Sequence, residues 1–190
     1  NDDSLKMIDL FCGAGGLSLG FTQEGFVTTL ANDIQDCCVD TYAHNHPETP
    51  RDHIILGNIK DVVNELDELL DGRSADIVIG GPPCQGFSMA NRQRLIDDPR
   101  NHLYKSYVEA VKKVQPKFFV MENVKGMQSV AEQVKDDFRA IGYSVECHIL
   151  NAKNFGVPQN RERLIYIGNC LGIDNEKIFN EIFELSEKIP

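Results

Sequence analysis

Short apolar segments alternate with helical segments along most of the chain, and this alternation limits the possible folds more than any other feature of the sequence. The first apolar segment, residues 7–11, leads into the glycine-rich turn Gly13-Ala14-Gly15-Gly16 and then into a helical segment. Residues 76–80 and 117–121 are further apolar runs with a helical segment between them. Continuous apolar strands that alternate with helices are typical of a parallel sheet with helices on both faces.

The end of the chain departs from this alternation. Two strands are predicted there with a loop between them that is too short for a crossover helix, so we expect them to pair antiparallel. The predicted fold class is therefore α/β: a mostly parallel, Rossmann-like sheet with an antiparallel last strand and helices on both faces. We expect one domain over residues 1–170 and a helical tail over 171–190. The predicted strands are 7–11, 26–31, 54–56, 76–80, 117–121, 143–150 and 164–168, and the predicted helices are 17–24, 34–45, 62–70, 104–114 and 130–141.

Charge and cysteine content exclude several classes of protein. The chain has 19 Lys and Arg against 29 Asp and Glu, a formal charge of −10, which argues against a free-standing nucleic-acid binder. It has no apolar run of the ~20 residues that a membrane span requires. The six cysteines have neither disulfide-like nor zinc-ligand spacing, so we expect no metal site and reduced, buried thiols, with Cys84 as the exception. Reduced thiols and a polar, acidic start favour a cytoplasmic protein.

The glycine-rich turn is compatible with a nucleoside ligand. It lacks the later glycine of a dinucleotide-binding turn, so a pyrophosphate is a poor match. Asp33 follows Gly13 by 20 residues and ends the second predicted strand, where a carboxylate can hold ribose hydroxyls. A tight turn beside an exposed carboxylate explains the same residues equally well.

A Pro-Pro-Cys segment follows the fourth predicted strand, where open parallel sheets bind their ligands. Two prolines fix the position of Cys84, and a fixed thiolate loses less entropy in attack, so we interpret Cys84 as a nucleophile rather than a buried loop cysteine. The polar stretch that follows contains Arg92, Arg94 and Arg100. It is either a loop that closes on an anion or a solvated surface loop.

Two further polar groups occupy equivalent places. Glu122 and Asn123 end the fifth predicted strand, where a carboxylate can share a proton with a heterocycle or simply cap a helix. Arg161 and Arg163 lie two residues apart on an extended segment and therefore point to the same side. They could grip a planar polar substrate or a phosphate, or form an exposed salt-bridged turn.

Taken together, the motifs resemble those of the DNA (cytosine-5) methyltransferases, from about Met7 to Gly168. Four motifs in order at predicted strand ends make the resemblance specific. They are Asp9-Leu10-Phe11-Cys12-Gly13-Ala14-Gly15-Gly16, Gly81-Pro82-Pro83-Cys84-Gln85-Gly86-Phe87-Ser88, Met121-Glu122-Asn123-Val124, and Asn154-Phe155-Gly156-Val157-Pro158-Gln159-Asn160-Arg161-Glu162-Arg163.

The resemblance implies a methyltransferase sheet that binds S-adenosylmethionine. Asp33 would hold the ribose, Ile34 would pack on the adenine, and Asn58 with Ile59 would read the adenine edge. Asn58 replaces an aspartate that is common in the family, and its amide oxygen can still accept a hydrogen bond. The residues implied at this site are Phe11, Gly13, Gly15, Gly16, Leu17, Asp33, Ile34, Asn58, Ile59, Pro83 and Leu103.

The resemblance also implies methyl transfer to carbon 5 of a flipped-out cytosine in double-stranded DNA, through a covalent Cys84 adduct. Glu122, Asn123, Arg161 and Arg163 would complete the catalytic set with Cys84. The residues implied in DNA contacts are Gln85, Ser88, Arg92 and Arg94. Two alternatives remain: a tRNA cytosine-5 methyltransferase with the same catalytic set, and a non-catalytic partner that keeps the fold.

Members of that family are longer, because a target-recognition domain follows the last motif. We therefore expect residues 1–170 to be the catalytic, cofactor-binding domain. Residues 171–190 would be a tail that leads to a target-recognition domain elsewhere in the same chain or in a second chain. The expected setting is a prokaryotic restriction-modification system, with a cytoplasmic, nucleoid-associated enzyme.

Overall fold

The fold is a seven-stranded mixed sheet flanked by helices, in a computed structural model that describes residues 3–83 and 97–189. The strands lie in the order β3-β2-β1-β4-β5-β7-β6, and β1 to β5 are parallel to one another. The strands are β1 (Lys6–Leu10), β2 (Val27–Asp33), β3 (Ile54–Leu56), β4 (Ile77–Gly80), β5 (Phe118–Val124), β6 (Ser144–Asn151) and β7 (Glu162–Asn169).

The helices connect the strands much as the sequence predicts. The helix expected over residues 62–70 is instead two short helices that meet at Glu65. The helices are α1 (Gly16–Gln23), α2 (Asp36–Asn45), α3 (Ile59–Asn64), α4 (Leu66–Leu70), α5 (His102–Val114), α6 (Ala131–Arg139) and α7 (Asn175–Ser186). None of them, within the described ranges, is long and apolar enough to cross a membrane.

Alternate residues of the central strands face the two sides of the sheet. Ile8, Leu10 and Val78 belong to the main core, which also contains apolar residues of α3, α5 and α6. Met7 and Ile77 face the opposite side, where α1 packs. The expectation of an α/β sheet with helices on both faces is confirmed.

Strand β7 is the antiparallel strand that the sequence predicts, and it lies between β5 and β6. Its register with β5 runs from Phe118 opposite Asn169 to Val124 opposite Arg163. This pairing brings the arginine end of β7 beside the carboxyl end of β5, although the two segments are about forty residues apart in the chain.

The tail helix α7 packs against β6 and β7. Two buried asparagines anchor its start: Asn169 Nδ2 donates to Asn175 Oδ1 at 2.7 Å, and Asn175 Nδ2 donates to Ser144 Oγ at 3.2 Å.

The expectation that the cysteines outside the Pro-Pro-Cys segment are buried is wrong for two of them. Cys37 and Cys170 are exposed, and Cys38 and Cys147 are only half-buried. Cys37 and Cys38 lie in the first turn of α2, which faces solvent. All five described cysteines are free thiols.

Candidate active site

The glycine-rich turn follows the carboxyl end of β1, and three alternate residues there have left-handed backbone angles. Phe11, Gly13 and Gly15 have φ angles of 56°, 52° and 86°. A left-handed φ is strained for a residue such as Phe11 and is unstrained for glycine. Glycine at positions 13 and 15 therefore allows a turn whose backbone angles would be strained with any other residue.

Asp33 fastens this turn to the end of β2. Its Oδ2 accepts a hydrogen bond from Gly13 N at 3.0 Å, and its Oδ1 accepts one from Gln35 N at 3.0 Å. The next residue, Ile34, is an apolar side chain with 63% of its surface exposed. Each carboxylate oxygen has a second lone pair, so Asp33 can still accept hydrogen bonds from a ligand.

The other residues expected near the cofactor lie on neighbouring elements. Asn58 caps α3, and its Oδ1 accepts from Lys60 N at 2.9 Å. The Ile59 side chain is buried in the main core, so only its backbone remains for a ligand. Leu103 is partly buried against the same core, as is Phe11.

Glu122, on β5, is the centre of a charged cluster. Arg163 Nε lies 3.0 Å from Glu122 Oε1, and Arg161 Nη2 lies 3.7 Å from the same oxygen. Arg163 is fixed further because its Nη1 donates to the Glu162 carbonyl at 2.8 Å. The prediction that both arginines point to one side is confirmed, and the group they share is a carboxylate.

The other oxygen of Glu122 faces the start of the Pro-Pro-Cys segment. A Cβ added to Gly81 would lie 2.7 Å from Glu122 Oε2, which is closer than real Cβ contacts allow. Glycine at position 81 therefore leaves the room that this carboxylate oxygen occupies.

One cleft of about 510 Å³ joins the glycine-rich turn to this charged cluster. Gly16 and Leu17 line it on one side, and Glu122, Arg161 and Arg163 line it on another. Leu150, Ala152, Phe155 and Ile165 complete the lining. Residues of the first and the last sequence motifs thus share one cavity. Of the residues expected near the cofactor, all of them described, only Gly16 and Leu17 line it. The others do not: Phe11, Gly13, Gly15, Asp33, Ile34, Asn58, Ile59, Pro83 and Leu103.

A second, smaller cleft of about 240 Å³ shares three of those residues, Glu122, Arg161 and Arg163. Pro83, at the end of the first described segment, lines it together with Asn123, which is buried. The two clefts therefore meet at Glu122, with the turn on one side and the Pro-Pro-Cys segment on the other.

Several predicted site residues lie outside the described residues. They are Cys84, Gln85, Ser88, Arg92 and Arg94.

Arg100 is described, and it does not face an open anion site. Its Nε and Nη2 bind both carboxylate oxygens of Asp98 at 2.6–3.2 Å, which lowers the pKa of that carboxyl to about 2. Its charge is thus engaged within its own loop.

Sequence reasoning missed a buried polar network beneath the turn. The Asp9 carboxylate accepts a hydrogen bond from Ser18 Oγ, and Ser18 Oγ lies 2.8 Å from the hydroxyl of Tyr42. Burial, opposed by the Ser18 hydrogen bond and assisted by the charge of Asp33, raises the pKa of Asp9 to about 7. Burial also raises the pKa of the Cys12 thiol, so Cys12 is structural. The signal available in the sequence was Asp9 itself, a carboxylate inside an apolar strand.

The described residues contain no group of His, Cys, Asp and Glu that could hold a metal ion. Among the described residues, the two clefts present the carboxylate of Glu122, the guanidinium groups of Arg161 and Arg163, and Gly16 of the turn.

The amino-acid sequence is similar to those of known proteins. The family model described as C-5 cytosine-specific DNA methylase matches residues 5–189. The Type II methyltransferase M1.HphI of Haemophilus parahaemolyticus is 47% identical in an alignment of 175 residues that covers 87% of this chain and 46% of that protein. M.FnuDI of Fusobacterium nucleatum, also a Type II methyltransferase, is 41% identical in an alignment of 191 residues that covers 97% of this chain and 52% of that protein.

Solved structures share the fold. A prophage-encoded protein of E. coli superposes with a TM-score of 0.73 and 31% sequence identity, over 91% of this chain and 50% of that one. The chain spans about half the length of these relatives.

Proposed function

Because the chain belongs to the C-5 cytosine-specific DNA methylase family, we propose that it is the donor-binding and catalytic part of a DNA (cytosine-5) methyltransferase. The observation that carries this proposal is the shared cleft, which Gly16 and Leu17 line at the end of the glycine-rich turn and Glu122 lines with its two arginines. A transferase must bring donor and acceptor within reach of each other, and this cavity extends from the end of the turn to the charged cluster.

Membership of this family implies S-adenosylmethionine as the methyl donor. The residues at the turn fit that molecule: the Asp33 carboxylate can accept from ribose hydroxyls, and the exposed Ile34 offers an apolar surface to the adenine. Asn58 and the backbone of Ile59 would meet the adenine edge. Gly13, Gly15, Gly16, Leu17, Phe11, Leu103 and Pro83 would form the rest of the donor site. The donor supplies an electrophilic methyl group on a sulfonium sulfur.

The protein residues would activate the cytosine. Carbon 5 of cytosine is a weak nucleophile, so the Cys84 thiolate adds to carbon 6, and Glu122 donates a hydrogen bond or a proton to ring nitrogen 3. The electron pair displaced to carbon 5 then forms the bond to the methyl carbon as its bond to sulfur breaks. Loss of the carbon 5 proton to a base and departure of the Cys84 thiolate restore the aromatic ring.

The two arginines would hold the base in place. Arg163 has its Nε engaged with Glu122 and its Nη1 engaged with a backbone carbonyl, so its orientation is fixed before substrate arrives. An arginine so fixed can donate to the cytosine carbonyl without losing side-chain entropy at that step. Arg161 and the buried Asn123 would support the same pocket.

Double-stranded DNA is the proposed partner, with Gln85, Ser88, Arg92 and Arg94 at the strand that carries the target base. Carbon 6 of a stacked cytosine is out of reach, so the base must leave the helix at a cost of a few kcal/mol. Since the chain spans about half the length of its relatives, we place sequence recognition in a domain outside residues 1–190.

The test is covalent trapping by the full-length protein. 5-Fluorocytosine in duplex DNA blocks loss of the carbon 5 substituent, so the enzyme should form an adduct that survives denaturing electrophoresis. Cys84→Ser should abolish the adduct, and the matched control Cys170→Ser, at an exposed cysteine, should retain it. A full-length protein that forms no adduct would contradict the proposal.

The two other functions considered from the sequence are separated in the same experiment. Labelled methyl transfer from S-adenosylmethionine should appear in duplex DNA and not in tRNA. Transfer to tRNA alone would make the protein an RNA methyltransferase. Binding of donor and DNA with no transfer to either would indicate a non-catalytic partner.

A further inference from the structure

The carbonyl groups of the glycine-rich turn are held by two consecutive residues at the end of α2. Asn45 Nδ2 donates to the Ala14 carbonyl at 2.9 Å, and His46 Nε2 lies 2.9 Å from the Gly15 carbonyl. A carbonyl only accepts, so Nε2 of His46 must carry the hydrogen. Both contacts span 31 residues of sequence, and together they tie the turn to a helix that contributes nothing to the clefts described above.

The His46 side chain is buried between Tyr42 and the backbone of Gly15. Only 1% of its surface is exposed, and its ring stacks on Tyr42 with centroids 4.5 Å apart. A Cβ on Gly15 would lie 2.3 Å from His46 Nε2. The imidazole therefore fills the space that a side chain at position 15 would take, so Gly15 and His46 are complementary.

The contact with Gly15 sets the direction of the next peptide N–H. The Gly15 carbonyl also accepts from Leu19 N at 2.9 Å, so two donors fix its orientation. In a planar trans peptide the N–H points opposite to the carbonyl. The N–H of Gly16 is therefore turned away from α2, and as the first residue of α1 it has no acceptor within the helix. Gly16 also lines the 510 Å³ cleft.

We propose that Asn45 and His46 are positioning residues for the methyl donor: by holding the Ala14 and Gly15 carbonyls they keep the turn in its donor-binding conformation. Neither side chain lines a described cleft, so each acts through the turn. The inference rests on the proposed function, because the donor whose binding these residues would support is the one proposed above.

The test measures S-adenosylmethionine binding by isothermal titration calorimetry with the full-length protein. Asn45→Ala removes one donor at an exposed position, and His46→Leu removes the other while keeping an apolar side chain against Tyr42. Loss of a hydrogen bond to a carbonyl in each case should weaken donor binding roughly tenfold. His46→Gln, whose amide can donate to Gly15, should restore most of the affinity. His44→Leu, the same change at an exposed histidine of α2, is the matched control and should bind as wild type.

Steady-state kinetics separate positioning from general damage. Asn45→Ala should raise KM for the donor about tenfold, with kcat and KM for DNA within twofold of wild type. If His46→Leu fails to fold, the Asn45→Ala and His46→Gln measurements still decide the matter. Donor affinity within twofold of wild type in Asn45→Ala, and in a folded His46→Leu, would overturn the inference alone. No donor binding by the wild-type protein would overturn it together with the proposed function.

Discussion

Replacement of Asp9 by asparagine should change how the stability of the protein depends on pH. Asp9 lies on β1 with 1% of its surface exposed, and burial raises its pKa from 3.8 to about 7. The nearby Asp33 adds to that shift, and the hydrogen bond from Ser18 opposes it. The native state thus holds a proton on Asp9 at pH values where the unfolded chain has lost it.

The sign and size of the effect follow from the two pKa values. The stabilisation that the proton provides is complete below pH 3.8 and is lost as the pH rises through about 7. A difference of about 3 pKa units at ~1.36 kcal/mol per unit gives an upper limit of about 4 kcal/mol. The free energy of unfolding should therefore fall between about pH 4 and pH 7 and show no further contribution from Asp9 at higher pH.

The assay compares urea denaturation of wild type and Asp9→Asn at pH 5, 6, 7 and 8. Asparagine keeps the volume, accepts the Ser18 hydrogen and does not titrate, so the variant should gain about 2–3 kcal/mol on wild type between pH 5 and pH 8. Asp40→Asn, at a side chain 76% exposed, is the control and should leave the two curves parallel. Parallel curves for Asp9→Asn would refute the reasoning, because they would mean that Asp9 titrates alike in both states.

Two further predictions concern Glu122. Gly81→Ala places a Cβ 2.7 Å from Glu122 Oε2 and should lower kcat about tenfold or more by displacing the carboxylate. The control is Gly126→Ala, whose added Cβ meets nothing within 4 Å and should leave kcat unchanged. Equal kcat in both variants would contradict the steric argument. Glu122→Gln removes the acid and the negative charge that faces Arg161 and Arg163. The value of kcat should fall about 10²- to 10⁴-fold, while donor affinity measured by calorimetry stays within twofold of wild type. A parallel loss of donor affinity would show that Glu122 acts at the donor site instead.

The strands of this fold are predictable because each is a local pattern. Residues 77–79 are apolar throughout, as expected for a strand buried on both faces, and the short connection before β7 requires antiparallel pairing. The break between α3 and α4 at Glu65 is not visible in the same way, because the apolar spacing continues across it. Exposure of Cys37 and Cys170 also depends on what packs nearby, which a residue's type does not reveal.

The candidate site was predictable where it follows strand ends and not where it depends on contacts between distant segments. Arg161 and Arg163 could be placed on one side of an extended segment, but their shared partner emerges only from the β5–β7 register. Likewise, His44 and His46 are two residues apart in the sequence, and that spacing alone does not distinguish one from the other. The role of His46 depends on the absence of a side chain at Gly15, 31 residues earlier.

The charge of the clefts explains why a total of −10 does not exclude a nucleic-acid substrate. Two guanidinium groups face one carboxylate where the clefts meet, so the local sum is 2 − 1 = +1. Glu122 keeps the net local charge small. A phosphate would compete with Glu122 for both arginines, whereas a neutral base with a polar carbonyl would not, so the small positive charge suits the base better. The same pairing holds Arg163 in place without substrate. If the function proposed above is right, the cleft would therefore select the base, and residues outside it would bind the phosphate backbone.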